Sequence, residues 1–155
     1  MSRSEPSREK VVLVVEDDAD DLYFLRNALR KAGLEGICRF VYDGPEAIAY
    51  MKGEHPFSDR KANPFPDILV LDLSLPRIDG FGVLEWMRGN GGCERVPVVV
   101  WTSWYYPGQL ERARKAGARL FLKKAAGGED LRELIALISS GTGPAAVGPG
   151  RASAP

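Results

Sequence analysis

The chain has 155 residues, 45% of them hydrophobic, and its 21 basic residues balance its 21 acidic ones. That suits one globular domain with a real core, and a net charge of zero excludes a nucleic-acid footprint spread over the whole molecule. No stretch reaches the roughly 20 apolar residues of a membrane span, and the polar residues 1–10 lack the apolar centre of a secretion signal. The two cysteines, Cys38 and Cys93, have no metal-ligand spacing and read as free thiols of a reducing cytoplasm.

Residues 1–9 are expected to form a flexible N-terminus. The first apolar run, residues 11–15, is Val-Val-Leu-Val-Val and is closed by Glu16-Asp17-Asp18. Apolar residues at consecutive positions read as a strand buried on both faces. From residue 19 to 31 the chain turns helical: Leu22, Leu25, Ala28, Leu29 and then Ala32 keep a three-to-four spacing, and Gly33 stops it. Asp18, Asp20 and Asp21 stand at its start, where carboxylates cap the helix and match its dipole.

A second apolar run covers residues 37–42. A short helix follows Asp43-Gly44, with Pro45 at its first position and Ala47, Ile48 and Met51 on its apolar side. Residues 53–66 are polar and long for a connection, so they are expected to be an exposed excursion. His55, the only histidine, lies there and reads as a surface residue.

The third run, residues 68–73, is bounded by Pro66 and Pro76 and carries Asp72 near its end. Burying an unpaired carboxylate costs several kcal/mol, so an acid there should lie at the mouth of the strand and meet a cation. Asp79-Gly80 reads as turn chemistry. A helix over residues 81–88 places Phe81, Leu84 and Met87 or Arg88 on one side, then ends in Gly89-Asn90-Gly91-Gly92.

Residues 98–102 form the fourth run, with Trp101 assigned to the core. Trp104, Tyr105 and Tyr106 follow it, either as a binding surface or packed onto the next helix. That helix, over 107–116, aligns Leu110, Ala113 and Ala116 and is capped by Gly117. The fifth run, 119–122, leads into Lys123-Lys124. A last helix over 129–139 carries Leu131, Leu134, Ile135 and Ile138. Residues 141–155 are rich in Gly, Ala, Pro and Ser and are expected to be a disordered tail with no output domain after it. The folded domain is therefore residues 10–140.

Strands alternating with helices predict an α/β fold in which a parallel sheet is covered on both faces, and right-handed crossovers favour a doubly wound sandwich. Ligands of such sheets sit beyond the carboxyl ends of the strands. Here those ends carry Glu16 and Asp17, Asp72, Thr102 with Ser103, and Lys123 with Lys124. Several carboxylates close together repel, and a hard divalent cation such as Mg2+, taking oxygen ligands, relieves the repulsion. Asp17 and Asp72 are the expected direct ligands, with Glu16 holding a coordinated water and the backbone carbonyl of Ser74 adding an oxygen. A carboxylate in this setting can attack a phosphoryl group, while metal and lysine balance the equatorial oxygens and a fourth-strand hydroxyl donates to the product.

With these residues in place the sequence resembles the receiver domain of two-component response regulators. The resemblance rests on Val15-Glu16-Asp17-Asp18, on Asp67 through Asp72 to Leu75-Pro76-Arg77-Ile78-Asp79-Gly80, on Val96-Pro97 through Thr102-Ser103, and on Gly117-Ala118 through Phe121 to Lys124. It implies a flavodoxin-like five-stranded sheet of order 2-1-3-4-5 and phosphorylation of Asp72 by a partner histidine kinase. It also implies Glu16 and Asp17 as the acidic pair, Thr102 as switch hydroxyl, Phe121 as switch aromatic and Lys124 as the phosphate-contacting lysine. The family's Gly-Ala-x-x-aromatic-x-x-Lys register selects Lys124, and strand alternation leaves Lys123 as a solvated charge. The family usually has a cis proline after this lysine, whereas this chain has Ala125, which puts the geometry of the loop in question.

The expected function is that of a cytoplasmic single-domain regulator that recruits Thr102 inward, turns Phe121 into the space vacated and presents a changed surface to a downstream protein. Substrate turnover, nucleic acid and membrane have no part in this reading. The 53–66 excursion narrows the resemblance towards receivers associated with phytochrome kinases, a phosphotransfer protein being the other donor, and family habit suggests a homodimer through the last helix. Two competitors stand beside it. One is a phosphate-independent pseudo-receiver acting as an interaction module. The other is an aspartate-nucleophile phosphatase, which wants a second acid two residues after the first, where this chain has Ser74.

Overall fold

The computed structural model describes residues 9–103 and 106–140. The expected flexible residues 1–8, the expected tail 141–155, and Trp104 and Tyr105 lie outside the described residues. Five strands alternate with five helices: β1 (Val12–Val15), α1 (Ala19–Lys31), β2 (Cys38–Val41), α2 (Gly44–Lys52), β3 (Ile68–Leu71), α3 (Gly80–Arg88), β4 (Val98–Thr102), α4 (Pro107–Lys115), β5 (Ala118–Lys123) and α5 (Glu129–Ser140). The strands form one parallel sheet in the order β2-β1-β3-β4-β5, so their carboxyl ends share one edge.

Alternation along each strand builds two cores. Leu13, Val15, Leu69, Leu71, Val98, Val100 and Phe121 face α2, α3 and α4. Val12, Val14, Ile68, Val70, Val99, Trp101, Leu120 and Leu122 face Leu25 and Leu29 of α1 and Leu134 and Ile138 of α5. The near-continuous apolar runs follow from burial on both faces. Cys38 and Cys93 are free and buried, one in each core, so the sheet separates them. Burial pushes the Cys38 thiol up to about 12 and raises Cys93 as well.

Aspartates start the first three helices. Asp18, Asp43 and Asp79 accept from the backbone N–H groups of Asp21, Glu46 and Gly82 at 2.9, 2.7 and 2.9 Å, each satisfying a donor that the helix leaves unpaired. Helix α2 begins at Gly44, one residue before Pro45. The expected second strand is shorter than its apolar run because Ile37 belongs to a 3-10 turn, Glu35–Ile37. The third ends at Leu71, and the fifth runs from Ala118 to Lys123.

Residues 53–66 are exposed along much of their length, as expected, but the segment is also anchored to the fold. Arg60 Nη1 donates to the carbonyl oxygens of Tyr50 and Asn63 at 2.7 and 3.1 Å, and its Nη2 to that of Met51 at 2.8 Å. The guanidinium thus caps the C-terminus of α2, taking the Met51 carbonyl and sharing that of Tyr50 with the Gly53 N–H. The Tyr50 hydroxyl donates to Pro64 at 2.8 Å, while Phe57 and Phe65 pack on the core. A polar composition hid a segment anchored by one cation and two aromatic rings. His55 is exposed, as expected.

Gly80 fixes where α3 meets the sheet. A Cβ on it would stand 2.5 Å from the Asp72 carbonyl oxygen and 2.7 Å from the Leu73 Cα, distances no real Cβ keeps. Because both obstacles are backbone, Gly80→Ala should displace the turn after Asp72 and destabilise the fold by about 2 kcal/mol. A urea midpoint unchanged from the parent would refute this.

Candidate functional site

Each strand end contributes one part of a single pocket. The β1 ladder continues past Val15, with Glu16 N donating to Val41 O at 3.1 Å. This anchors a fully buried glutamate whose Oε1 accepts from Asp18 N at 3.0 Å. Asp17 is exposed beside it. The ladder from β1 to β3 continues likewise, Asp72 N donating to Val15 O at 3.2 Å, so Asp72 is held level with Glu16 and buried. One carboxylate oxygen from each of Glu16, Asp17 and Asp72 lies within 4.8 Å of the others.

The opposite charge comes from β5. Lys124 N donates to Thr102 O at 2.9 Å, extending the β4–β5 pairing by one residue and aiming the side chain inward. Its Nζ lies 2.6 Å from Glu16 Oε2, 2.8 Å from Asp21 Oδ2 and 3.0 Å from Asp72 Oδ2. Lys123 points outward and is exposed. The loop after Lys124 keeps a trans bond to Ala125, since the only cis peptide among the described residues is His55–Pro56. Replacing the family's proline has therefore not carried this lysine out of the pocket.

Both oxygens of Asp72 are engaged. Oδ1 accepts from Thr102 Oγ1 at 2.8 Å and from Ser74 N at 3.1 Å, while Oδ2 takes the lysine. The pocket is over-acidic: Glu16, Asp17, Asp21 and Asp72 face one ammonium. Burial first, and then the Asp72 charge, push the Glu16 carboxyl up to about 7 despite the pull of Lys124. Burial alone would depress the Lys124 ammonium, but hydrogen bonding to Asp21 and the charges of Asp72 and Glu16 outweigh it and hold it above its ordinary value, fully charged. An all-oxygen donor set carrying surplus negative charge fits a hard divalent cation.

Asp21 was the residue the sequence misassigned. It belongs to the first turn of α1, as a helix-start acid should, but its side chain binds Lys124 rather than only matching the dipole. Nothing in Asp20-Asp21 says which of two neighbouring acids turns inward. Trp101 also does more than fill the core: its Nε1 donates to Asp130 Oδ2 at 2.7 Å, with both residues buried. A buried indole N–H needs an acceptor, which was the available signal. Thr102 already touches Asp72, and the Phe121 ring is already inside the core, so in this structure neither waits in an outward position. No acid stands two residues after Asp72; Ser74 is exposed and offers its backbone N–H instead, which argues against the phosphatase arrangement.

Fold and pocket together define a class: a flavodoxin-like, doubly wound α/β domain with acids and one lysine gathered at the carboxyl ends of its strands. The chain belongs to the response regulator receiver domain family, whose model matches residues 12–136. Among curated proteins it is similar to the response regulator Rcp1 of Synechocystis, with 27% identity over 136 residues that cover 88% of this chain and 90% of Rcp1. Among solved structures it is similar to the phosphorylated cyanobacterial phytochrome response regulator RcpA, at 26% identity and a TM-score of 0.72, covering 86% of this chain and 91% of that one. It also matches the Mn2+-bound form of Rcp1, at 27% identity and a TM-score of 0.69, covering 84% and 92%.

Proposed function

We propose that this chain accepts a phosphoryl group on Asp72 from a histidine kinase and signals through the surface that phosphorylation stabilises. The observation that carries the reading is the simultaneous contact of Asp72 with the Thr102 hydroxyl and the Lys124 ammonium, at 2.8 and 3.0 Å, beside two further carboxylates. One Asp72 oxygen forms the new O–P bond as the N–P bond of the phosphohistidine breaks, and the electron pair returns to the imidazole. Lys124 and Thr102 balance charge on the transferring oxygens, a positioning and electrostatic task. Glu16, Asp17 and Asp72, with the Ser74 carbonyl, would hold Mg2+, which supplies Lewis-acid neutralisation of the phosphoryl charge.

Thr102 and Phe121 already lie inward, so phosphorylation favours this arrangement over outward ones rather than creating it, a shift of population. Group transfer to the chain's own side chain, and its later hydrolysis, consume no substrate other than the phosphodonor and water. The relatives include a protein described as a phytochrome response regulator, which supports a phytochrome-type kinase as donor. Phe24 of α1, exposed to 56%, lines a cleft with Asp21 and Lys124 and suits a partner's approach. Free buried thiols support the cytoplasm, and no described helix is long and apolar enough to cross a membrane.

Incubation with acetyl phosphate and Mg2+ should add one phosphoryl mass to the intact protein. No gain, under conditions that modify another receiver, would leave the phosphate-independent interaction module as the better account. Removing divalent ions with EDTA should slow labelling about a hundredfold or more, matching the several kcal/mol a metal supplies to such a transfer. Labelling at an undiminished rate in EDTA would remove the metal from the scheme.

A further inference from the structure

The loop that follows the pocket lysine, Ala125-Ala126-Gly127-Gly128, has no proline, and Gly128 takes a left-handed φ of 77°. The Lys124 N–H bond to Thr102 O aims the stem inward, but neither it nor this loop fixes the four-carbon side chain that carries the ammonium. The three carboxylates around the ammonium do not solve this by themselves, because at least one of their bonds must yield when phosphate arrives on Asp72. One contact remains available throughout: Lys124 Nζ stands 4.7 Å from the centroid of the Trp101 ring. A π face attracts the cation without taking up its directional N–H donors, so they stay free to change partners.

The indole is itself held. Trp101 is buried in β4 beside its register partner Leu122, and its N–H is bound to Asp130 in the first turn of α5 at 2.7 Å. Asp130 is buried too, and its other oxygen, Oδ1, has no hydrogen-bond partner. Rotating the indole would strand a buried N–H and leave the carboxylate wholly unpaired. Asp130, Trp101 and Lys124 thus form a line from the start of α5 to Asp72, with the charged acceptor locking the ring.

We propose that Trp101 is a positioning residue for Lys124, its ring face holding the ammonium where the backbone bond to Thr102 only aims the stem. This rests on the phosphoacceptor reading above only for its effect on rate. The test compares Trp101→Leu, which removes the face, with Trp101→Phe, which keeps a face but loses the N–H and leaves Asp130 unpaired. Both variants lose packing or hydrogen bonding, so a merely structural role would slow them alike, in step with thermal stability.

Positioning instead predicts that Trp101→Phe keeps the acetyl-phosphate labelling rate within about threefold, while Trp101→Leu falls about tenfold, equivalent to about 1.4 kcal/mol. Equal rates for the leucine variant and the parent, or equal losses in both variants, would overturn it. A second readout needs no phosphate. In the parent, the Lys124 Cε protons should be shifted upfield by the indole ring current, and Trp101→Leu should abolish that shift. An unshifted lysine in the parent overturns the proposal even if labelling proceeds. A shifted lysine in a protein that takes no phosphate upholds the positioning while refuting the phosphoacceptor reading.

Discussion

Asp72→Asn should abolish labelling by acetyl phosphate while leaving the domain folded. The amide oxygen can still accept from Ser74 N and Thr102 Oγ1, the two bonds that orient the parent's Oδ1 at 3.1 and 2.8 Å. Lys124 loses one of three carboxylate partners and keeps Glu16 and Asp21. The cluster loses one negative charge where acids already outnumber the single ammonium, which offsets part of the lost ion pair. The net change in unfolding free energy should stay within about 1 kcal/mol. What disappears is the nucleophile, since a neutral carboxamide forms no acyl phosphate. Intact mass and a urea titration on the same preparation decide it. Residual phosphorylation would move the acceptor elsewhere in the cluster, Asp17 first because it alone of the metal-competent acids is exposed, and peptide mapping would locate it.

The parts of this molecule that were legible in the sequence are those set by local pattern. Consecutive branched aliphatic residues in 11–15 and 68–71 announce strands covered on both sides, and helix α1 begins and ends where its spacing, aspartates and glycine say. The acids at strand ends were legible for the same reason: parallel pairing brings every carboxyl end to one edge. What stayed hidden depends on contacts across long stretches of chain. Arg60 looks like surface charge until the C-terminus of α2 is folded beneath it. Asp21 and Lys124 are 103 residues apart, and only the finished fold joins them, with α1 and α5 packed on one face of the sheet. Trp101 and Asp130 likewise pair only after α5 has docked. The inward setting of Thr102 and Phe121 is a choice between rotamers of one fold, which residue type does not encode.

Lys124→Met should affect both stability and chemistry. Methionine keeps an unbranched stem for the Trp101 face and removes the charge. Glu16, fully buried, and Asp72, nearly so, then share a pocket with no cation. Breaking a buried ion pair from one side leaves an uncompensated charge, and the loss here should be about 3 kcal/mol in metal-free buffer. The same acids become a stronger trap for a divalent ion once the competing ammonium has gone. Magnesium should therefore raise the unfolding midpoint more in the variant than in the parent, because a ligand that binds only the native state stabilises it by mass action. Stability returns in that way, but catalysis does not. A metal restores neutrality without restoring a donor at the position of Nζ, 3.0 Å from Asp72. With magnesium present, labelling should remain about a hundredfold slower than in the parent, the typical loss for one preorganised donor. A variant that recovers both its stability and its labelling rate with magnesium would reduce Lys124 to a counter-ion, and the pocket would then work by charge balance alone.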